Sequence, residues 1–255
     1  MNYILNGING RMGQVLIEII KEEGGNVIAG IDRNSEATAN DAGIPIYENP
    51  AELLKENSGK IADAIIDFSN FTAVPALLEY AKKTGTPVVV CTTALGDTEK
   101  ALMREASKVI PVFNSSNMSI GINLIAKMGQ LAMPVLEDNF NVEIIEMHHD
   151  KKVDSPSGTA ILLADAINES CKIKKDYIYG RHSKSDAVKK SDLGIHAVRG
   201  GTVPGIHTVI WAGPDELIEI KHTVYSRSVF AQGAVKAASW IADKDAGMYS
   251  MNDLI

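Results

Sequence analysis

The strongest constraint on the fold is an alternation of short apolar runs with amphipathic stretches in the first half of the chain. Mostly apolar runs occupy residues 3–6, 27–31, 64–67, 88–91 and 111–113. Between them, apolar residues recur at helical spacing over residues 12–23, 50–57, 71–84 and 98–108. Short apolar strands that alternate with helices indicate a parallel sheet covered by helices on both faces. The pattern therefore predicts a doubly wound α/β domain.

The pattern changes after residue 113. A helix is predicted over residues 120–137, a strand over 141–147, a helix over 160–168 and a last helix over 229–242. Three more strands are predicted at 195–198, 207–211 and 217–222, whereas the charged residues 172–190 are predicted as an exposed, strand-poor segment. We expect a first domain of residues 1–118 plus 229–255. A second, α+β domain on an open mixed sheet is expected over residues 119–228.

Composition limits the partners and the compartment. The chain has 255 residues, of which 45% are hydrophobic, so two cores can be buried without metals or disulfides. A formal net charge of -7 argues against a nucleic-acid partner. The two cysteines, Cys91 and Cys171, are too few for a disulfide framework and indicate a reducing compartment. With no secretory signal and no long apolar run in the sequence, we expect a cytoplasmic protein without a membrane partner.

A glycine-rich turn lies between the first predicted strand and the first predicted helix. Gly7, Gly10 and Gly13 form a G-x-x-G-x-x-G pattern, and Asn9 stands where the usual dinucleotide-binding motif has its second glycine. Such a turn brings backbone N–H groups and a helix N-terminus towards a pyrophosphate. A glycine turn that binds no ligand is the alternative.

Two residues after the second predicted strand bear on the cofactor. Asp32 stands about 20 residues beyond the glycine turn, where a carboxylate can accept hydrogen bonds from ribose hydroxyls, which favours NADH. Arg33 follows it and can pair with a 2′-phosphate, so we expect NADH, NADPH or both. A solvated turn pair is the alternative reading of these two residues.

A second polar cluster follows the strand predicted at 141–147. His148, His149 and Lys152 can supply an acid and cations for an anionic substrate. Gly158 and Thr159 open the next helix, where backbone N–H groups and a hydroxyl can hold an anion. A helix cap, a solvated lysine pair and a metal site are the alternatives. We predict no metal, because two adjacent histidines lack a matching third ligand.

The residues of this cluster carry a family resemblance. The pattern E-x-H-H-x-x-K-x-D-x-P-S-G-T over residues 146–159 resembles the signature of the dihydrodipicolinate reductases, also called 4-hydroxy-tetrahydrodipicolinate reductases. Other similar segments are the glycine turn, Asp67-Phe68-Ser69, residues 117–123, Arg199-Gly200-Gly201 with Gly205 and His207, and Ser226-Arg227. The resemblance therefore covers nearly the whole chain.

The resemblance implies NAD(P)H-dependent reduction of 4-hydroxy-tetrahydrodipicolinate, a small dicarboxylate, in diaminopimelate and lysine biosynthesis. It implies a Rossmann-type domain, a substrate domain on an open mixed sheet and usually a homotetramer. By resemblance, His148 and Lys152 are catalytic, and His149, Gly158 and Thr159 bind substrate. The implied cofactor contacts are Gly7, Ile8, Asn9, Gly10, Arg11, Met12, Asp32, Arg33, Cys91, Thr92, Thr93, Ser115, Ser116, Asn117 and Met118.

The chain also departs from the family pattern. Family members commonly have G-T-T-G where this chain has Cys91-Thr92-Thr93-Ala94, and Asn-Phe where it has Asn117-Met118. Aromatic packing against the nicotinamide therefore does not carry over to Met118. Two other functions stay open: another two-domain NAD(P)-dependent dehydrogenase, such as one acting on aspartate, and a nicotinamide-sensing module without catalysis. His148 with Lys152 argues against the sensing module, which needs no proton donor.

Overall fold

The computed structural model describes residues 1–33, 43–182 and 187–255. The chain divides into two compact units. Unit 1 consists of Met1–Ser119 and Arg227–Ile255, and unit 2 consists of Ile120–Ser226.

Twelve strands and eight α-helices are assigned in the described residues. The strands are β1 (Asn2–Asn6), β2 (Asn26–Ile31), β3 (Ile46–Tyr47), β4 (Ala64–Asp67), β5 (Val88–Val90), β6 (Pro111–Asn114), β7 (Asn141–His148), β8 (Asp176–Tyr179), β9 (Asp192–Arg199), β10 (Gly205–Gly213), β11 (Glu216–Val224) and β12 (Gly247–Tyr249). The helices are α1 (Arg11–Glu22), α2 (Pro50–Glu56), α3 (Val74–Thr84), α4 (Asp97–Ala106), α5 (Ile120–Leu136), α6 (Gly158–Glu169), α7 (Ser228–Ile241) and α8 (Met251–Leu254).

Unit 1 is built on a seven-stranded sheet in the order β12-β6-β5-β4-β1-β2-β3. All six strand pairs are parallel. Their strands are mostly apolar and are covered by helices, as expected for strands without alternating polar residues. The chain runs outwards from β1 to β3 and then returns to β4 on the other side of β1. This reversal between β1 and β4 is where ligands of open α/β sheets bind.

Helix α7 closes the core of unit 1 although it comes last but one in the chain. It packs on α1 and on the central strands β4, β5 and β6. A Cβ atom at Gly233 would lie 1.8 Å from the Met118 carbonyl oxygen, so only glycine permits this close approach. Unit 1 therefore combines the N-terminal residues Met1–Ser119 with the C-terminal segment Arg227–Ile255.

Unit 2 is built on a five-stranded mixed sheet in the order β11-β10-β7-β9-β8. Strand β10 is antiparallel to β7 and β11, whereas β7, β9 and β8 are parallel to one another. Helices α5 and α6 pack on one face, in a core that includes Ile144 and Trp211. On the opposite face Ile145, Val198 and Leu217 are 39%, 43% and 58% exposed.

The predicted fold class is confirmed, because a doubly wound parallel sheet and a second, mixed sheet are both present. The prediction for residues 172–190 is wrong in one respect, since β8 runs through this segment. Strands β3 and β12 were also not predicted. All three strands are sheet edges of two to four residues, too short to show the alternation by which a strand is recognised.

Candidate active site

The glycine turn joins β1 to α1 in the conformation that only glycine adopts readily. Gly7 has a φ of +82°, and a Cβ atom at Gly13 would lie 2.2 Å from the Ile8 carbonyl oxygen. The Gly10 N–H donates to the Gly7 carbonyl oxygen at 3.0 Å and closes the turn. Gly10 is also the N-cap of α1 and has no side chain to satisfy the first N–H groups of the helix. The helix N-terminus therefore offers donors to an anion.

A cleft of about 850 Å³ opens beside this turn. Its walls include Gly7, Gly10, Asp32, Arg33 and residues 68–73. The Asp32 carboxylate accepts a hydrogen bond from the Asn9 N–H at 3.0 Å, and the Arg33 guanidinium donates to the Thr72 hydroxyl at 2.6 Å. Both side chains are thus fixed at the cleft by neighbours in the turn and after β4.

A buried carboxylate ties together the loops at this edge of the sheet. Asp67 accepts hydrogen bonds from the Asn6 amide at 2.8 Å, the Thr92 hydroxyl at 2.7 Å and the Ser69 hydroxyl at 2.5 Å. Burial raises the pKa of Asp67, and these hydrogen bonds oppose the rise. Burial also raises the pKa of the neighbouring Cys91 thiol well above its ordinary value, which makes it a poor nucleophile.

The residues around the cleft fit a dinucleotide. The α1 N-terminus and the glycine backbone can approach a pyrophosphate, and the Asp32 carboxylate can accept from ribose hydroxyls. Residues 91–93 follow β5 and residues 115–118 follow β6, and none of them lines this cleft. In the second segment the Ser115 hydroxyl donates to the Asn117 carbonyl oxygen at 2.8 Å, and Met118 is buried.

The second polar cluster lies at the end of β7 in unit 2. Glu146 and His148 are two residues apart and therefore point to the same, buried face of the strand. The His148 Nδ1 atom lies 2.6 Å from a Glu146 oxygen. The Arg199 guanidinium donates two hydrogen bonds to the same carboxylate, at 2.8 and 2.7 Å, and the Ser157 N–H donates a fourth at 3.0 Å.

These contacts set the charge states of the pair. Burial alone would raise the pKa of Glu146, but the hydrogen bonds from Arg199, His148 and the Ser157 N–H outweigh it and lower the pKa. Burial lowers the pKa of His148, against the opposing effect of Glu146. The carboxylate is therefore ionised while the imidazole favours its neutral form.

A second buried histidine stands beside the pair. The rings of His148 and His207 meet edge to face, with centroids 5.1 Å apart. The His207 Nε2 atom lies 2.9 Å from the hydroxyl of Ser157, which also accepts from the Ala160 N–H as the N-cap of α6. Burial lowers the pKa of His207 to about 3, so this ring is neutral at physiological pH.

The remaining candidates border the N-terminus of α6. The Lys152 ammonium pairs with the Asp154 carboxylate at 2.8 Å, and the His149 N–H donates to the Val203 carbonyl oxygen at 2.8 Å. Gly158 is the first residue of α6. A Cβ atom placed there would meet no described atom within 4 Å, and the Gly158 N–H donates to the exposed Asp154 carboxylate, so this helix N-terminus already binds one anionic group.

The predicted residues thus form two groups. Every predicted cofactor contact lies in unit 1, and every predicted catalytic or substrate-binding residue lies in unit 2. Residues 1–33, 43–182 and 187–255 contain no group of three or more His, Cys, Asp or Glu side chains that could hold a metal ion. In the same ranges no helix is both long enough and apolar enough to span a bilayer.

The sequence did not assign the partners of His148. Glu146 could have been found, since alternate residues of a strand share a face. Arg199 is 53 residues away from Glu146 in the chain, and Ser157 and His207 are separated by 50 residues. No local pattern links residues at such distances.

Comparisons with known proteins agree with both units. The family models described as dihydrodipicolinate reductase, N-terminus, and dihydrodipicolinate reductase, C-terminus, match residues 1–118 and 121–255. The 4-hydroxy-tetrahydrodipicolinate reductase of Caldanaerobacter subterraneus is 45% identical over 253 residues, covering 99% of this chain and 97% of the relative. That of Clostridium novyi is 42% identical, again over 99% of this chain and 97% of the relative.

Solved structures show the same fold. Dipicolinate-bound dihydrodipicolinate reductase from Paenisporosarcina sp. TG-14 has a TM-score of 0.80 at 21% identity, covering 100% of this chain and 99% of that one. Aspartate dehydrogenase from Thermotoga maritima has a TM-score of 0.52 at 12% identity, covering 96% and 97%. These two likenesses concern the fold alone. Together with the match of both family models, the sequence relatives establish that the chain belongs to the dihydrodipicolinate reductase family.

Proposed function

We propose that this chain catalyses the NAD(P)H-dependent reduction of 4-hydroxy-tetrahydrodipicolinate to tetrahydrodipicolinate, in diaminopimelate and lysine biosynthesis. The observation that carries the proposal is the buried Glu146–His148 pair, in the same unit as Lys152 and the N-terminus of α6. A dicarboxylate that must take up a proton needs this combination of a proton-transfer group and anion-binding groups. The names of the relatives support the same substrate.

Substrate binding is proposed to centre on the N-terminus of α6. One carboxylate of the substrate replaces the Asp154 carboxylate as acceptor of the Gly158 N–H and also accepts from Thr159, where the helix dipole favours negative charge. The Lys152 ammonium leaves Asp154, which is exposed, and pairs with substrate instead. His149 adds a further polar contact.

The reaction adds a hydride and a proton to the ring and removes the 4-hydroxyl as water. A reduced nicotinamide cofactor, with its pyrophosphate held at the glycine turn, would supply the hydride. His148 is the proposed proton-transfer residue for the ring carbon next to the imine, and Lys152 assists departure of the hydroxyl. Residues 7–12, Asp32 and Arg33 are proposed to hold the cofactor, together with residues 91–93 and 115–118.

We also propose that the chain assembles as a homotetramer through the sheet of unit 2. The face of this sheet opposite α5 and α6 exposes Ile145, Val198 and Leu217, and an exposed apolar surface of this kind is typical of a protein interface. A cytoplasmic location is proposed because Cys91 and Cys171 are both buried, free thiols.

The test is an assay with the purified chain. NADH or NADPH is mixed with freshly generated 4-hydroxy-tetrahydrodipicolinate, and oxidation of the cofactor is followed by its absorbance. The competing dehydrogenase function is tested with aspartate and the oxidised cofactor. Turnover of aspartate without turnover of the cyclic imine, or calorimetric binding of cofactor without turnover of either, would contradict the proposal.

Replacement of His148 tests its assigned role. His148→Gln is expected to lower kcat by roughly 100-fold or more, because a group that transfers a proton in the transition state is lost. The KM for the cofactor is expected to stay the same, since the predicted cofactor contacts lie in unit 1. A variant that keeps the turnover of the original chain would show that another group handles the proton.

A further inference from the structure

The carboxylate of Glu146 accepts hydrogen bonds on both of its oxygens and is inaccessible to solvent. One oxygen accepts from Arg199 at 2.7 Å and from the Ser157 N–H at 3.0 Å. The other accepts from Arg199 at 2.8 Å and lies 2.6 Å from His148 Nδ1. Glu146 is 0% exposed, so these groups replace water entirely. A bidentate arginine pair of this kind fixes the carboxylate plane.

An ionised carboxylate can only accept hydrogen bonds. The close contact with Glu146 therefore requires that His148 Nδ1 carry a proton and donate it. In a neutral imidazole the other ring nitrogen, Nε2, then has no proton and acts as an acceptor. Glu146 therefore determines which of the two ring nitrogens can accept a proton.

The space next to Nε2 is kept open by a glycine. A Cβ atom placed at Gly205 would lie 3.1 Å from His148 Nε2, a tighter contact than side chains normally make. Any larger residue at the start of β10 would crowd this nitrogen. Two independent features, the carboxylate at Nδ1 and the glycine at Nε2, therefore act on the same ring.

We infer that Glu146 is a positioning residue, held by Arg199 and the Ser157 N–H, which fixes His148 in the tautomer whose Nε2 accepts a proton. The inference rests on the proposed function for its catalytic consequence. The relevant consequence is that His148 enters the reaction as a base and leaves it as an acid. A chain that offered only a protonated histidine could not begin in this way.

The charged and titratable groups around His148 favour a neutral imidazole before the reaction begins. Glu146 lies behind the ring, Arg199 comes from β9, His207 from β10 and Lys152 from the loop after β7. Burial lowers the pKa of His148, Lys152 and Arg199 act in the same direction, and Glu146 opposes them. His207 is neutral, since burial lowers its pKa to about 3. The resting imidazole is thereby uncharged near neutral pH.

In the proposed reaction, one proton moves from the substrate ring to His148 Nε2 and later returns to the ring. Nε2 removes a proton from the ring carbon between C4 and the imine carbon, the C4–oxygen bond breaks, and Lys152 protonates the departing hydroxyl to give water. Glu146 stabilises the imidazolium so formed. After hydride has been added at C4, the electron pair of the resulting enamine takes the proton back from Nε2. Lys152 regains its proton from solvent, so one proton is consumed in each turnover.

The tautomer can be measured without activity. In the isolated, isotope-labelled protein, the nitrogen chemical shifts of His148 are expected to show a protonated Nδ1 and an unprotonated Nε2 near neutral pH. The signal is assigned by its loss in His148→Gln. A protonated Nε2 in the original chain would overturn the inference, whatever the substrate proves to be.

Glu146→Gln tests the role of the charge. The amide keeps the shape of the side chain but no longer stabilises the imidazolium, so the pKa of His148 falls. The acidic limb of the profile of kcat/KM against pH, along which the base loses its proton, is expected to move to lower pH. The kcat value is expected to fall by at least about tenfold, with little change in the KM of the cofactor. A folded variant with an unchanged profile and an unchanged kcat would overturn the inference.

Strand β7 offers a matched control in Glu143. This glutamate also contacts a histidine, His196, at 2.7 Å, and an arginine, Arg181, at 2.9 Å, but it points to the opposite face of the strand. Glu143→Gln is expected to leave the pH profile in place. Equal shifts in both variants would indicate a general effect on the fold and would overturn the inference.

A further variant covers the case in which Glu146→Gln does not fold. Gly205→Ala leaves the carboxylate intact but crowds Nε2, and it is expected to lower kcat by at least about tenfold while the Nδ1 proton stays in place. An unchanged kcat in Gly205→Ala would overturn the inference. If the original chain does not turn over the cyclic imine at all, the proposed function fails, and the nitrogen shifts still decide the tautomer.

Discussion

Burial shifts the pKa of the acidic and basic groups around His148 in opposite directions: it raises that of Glu146 and lowers those of the two histidines. It lowers the pKa of His207 to about 3 and also lowers that of His148, because the charged imidazolium is disfavoured away from water. Glu146 is just as inaccessible, yet the hydrogen bonds from Arg199 and its other donors lower its pKa. The cluster therefore contains one fixed anion and two neutral rings.

Lys152 is the side chain whose partner must change on substrate binding. Lys152→Ala is expected to raise the KM of the substrate by at least about tenfold, because a bound carboxylate loses its cation. The neighbouring Lys151 is exposed and is the matched control, for which a change of no more than about twofold is expected. Steady-state kinetics with both variants give the comparison. Equal effects of the two replacements would mean that only the general positive charge matters.

The N-termini of α1 and α6 show how the start of a helix is adapted to a ligand. Gly10 caps α1 and adds no side chain, whereas Ser157 caps α6 with its hydroxyl and also contacts His207. In both helices the first N–H groups have no acceptor within the helix and need one from outside it. Local sequence is sufficient for such ends, because a cap involves neighbours in the chain.

Gly13→Ala tests the close packing of the first helix against its turn. The added Cβ would lie 2.2 Å from the Ile8 carbonyl oxygen, so the turn must open and its N–H groups must move. We expect the affinity for NADH to fall by more than about tenfold, measured by fluorescence titration. Gly59→Ala is the control, since its Cβ would meet no described atom within 4 Å. Unaltered NADH binding by Gly13→Ala would contradict the assignment of this turn.

A buried ion pair holds the end of α5 to the segment before β8. Glu137 accepts hydrogen bonds from the Lys172 N–H at 2.8 Å and the Ile173 N–H at 3.1 Å, and it pairs with the Lys175 ammonium at 3.4 Å. Burial would raise the pKa of Glu137, but these contacts outweigh it and lower the pKa. Its stabilising effect is therefore present at neutral pH and is lost as the pH falls through the lowered pKa.

Glu137→Gln leaves Lys175 buried without its anion. The free energy of unfolding is expected to fall by about 3 kcal/mol at neutral pH. The exposed pair between Asp138 and Lys172, at 3.3 Å, provides the control, and Asp138→Asn is expected to cost less than about 1 kcal/mol. Urea denaturation of both variants at neutral and acidic pH tests the difference, which should shrink in acid. A difference that grew in acid would contradict the sign of the shift.

At the scale of the whole molecule, the proposed tetramer depends on the exposed face of the five-stranded sheet in unit 2. Val198→Asp places a charge on the exposed face of the five-stranded sheet, and it is expected to convert the tetramer into smaller species in sedimentation experiments. Val109→Asp is the control, since Val109 is 63% exposed but lies in unit 1. A chain that is monomeric without any replacement would contradict the proposed tetramer.

A helix or strand could be predicted where the pattern that identifies it lies within its own residues. The strands of the parallel sheet are apolar runs and the helices are periodic, so β1, β2, β4, β5 and β6 were predicted within a few residues. Edge strands such as β8 and β12 were not. They form because a neighbouring strand offers hydrogen bonds, and this neighbour is not visible in their own sequence.

For the candidate site, the residue types can be read from the amino-acid sequence alone: a glycine turn, a carboxylate after β2, and His148 with Lys152 in one motif. Which atoms of these residues can donate or accept a proton depends on how the chain folds. Arg199 reaches Glu146 across 53 residues, because β9 pairs with β7 in the sheet. The protonation of a histidine depends on the groups that surround it in space, and chain order does not specify these groups.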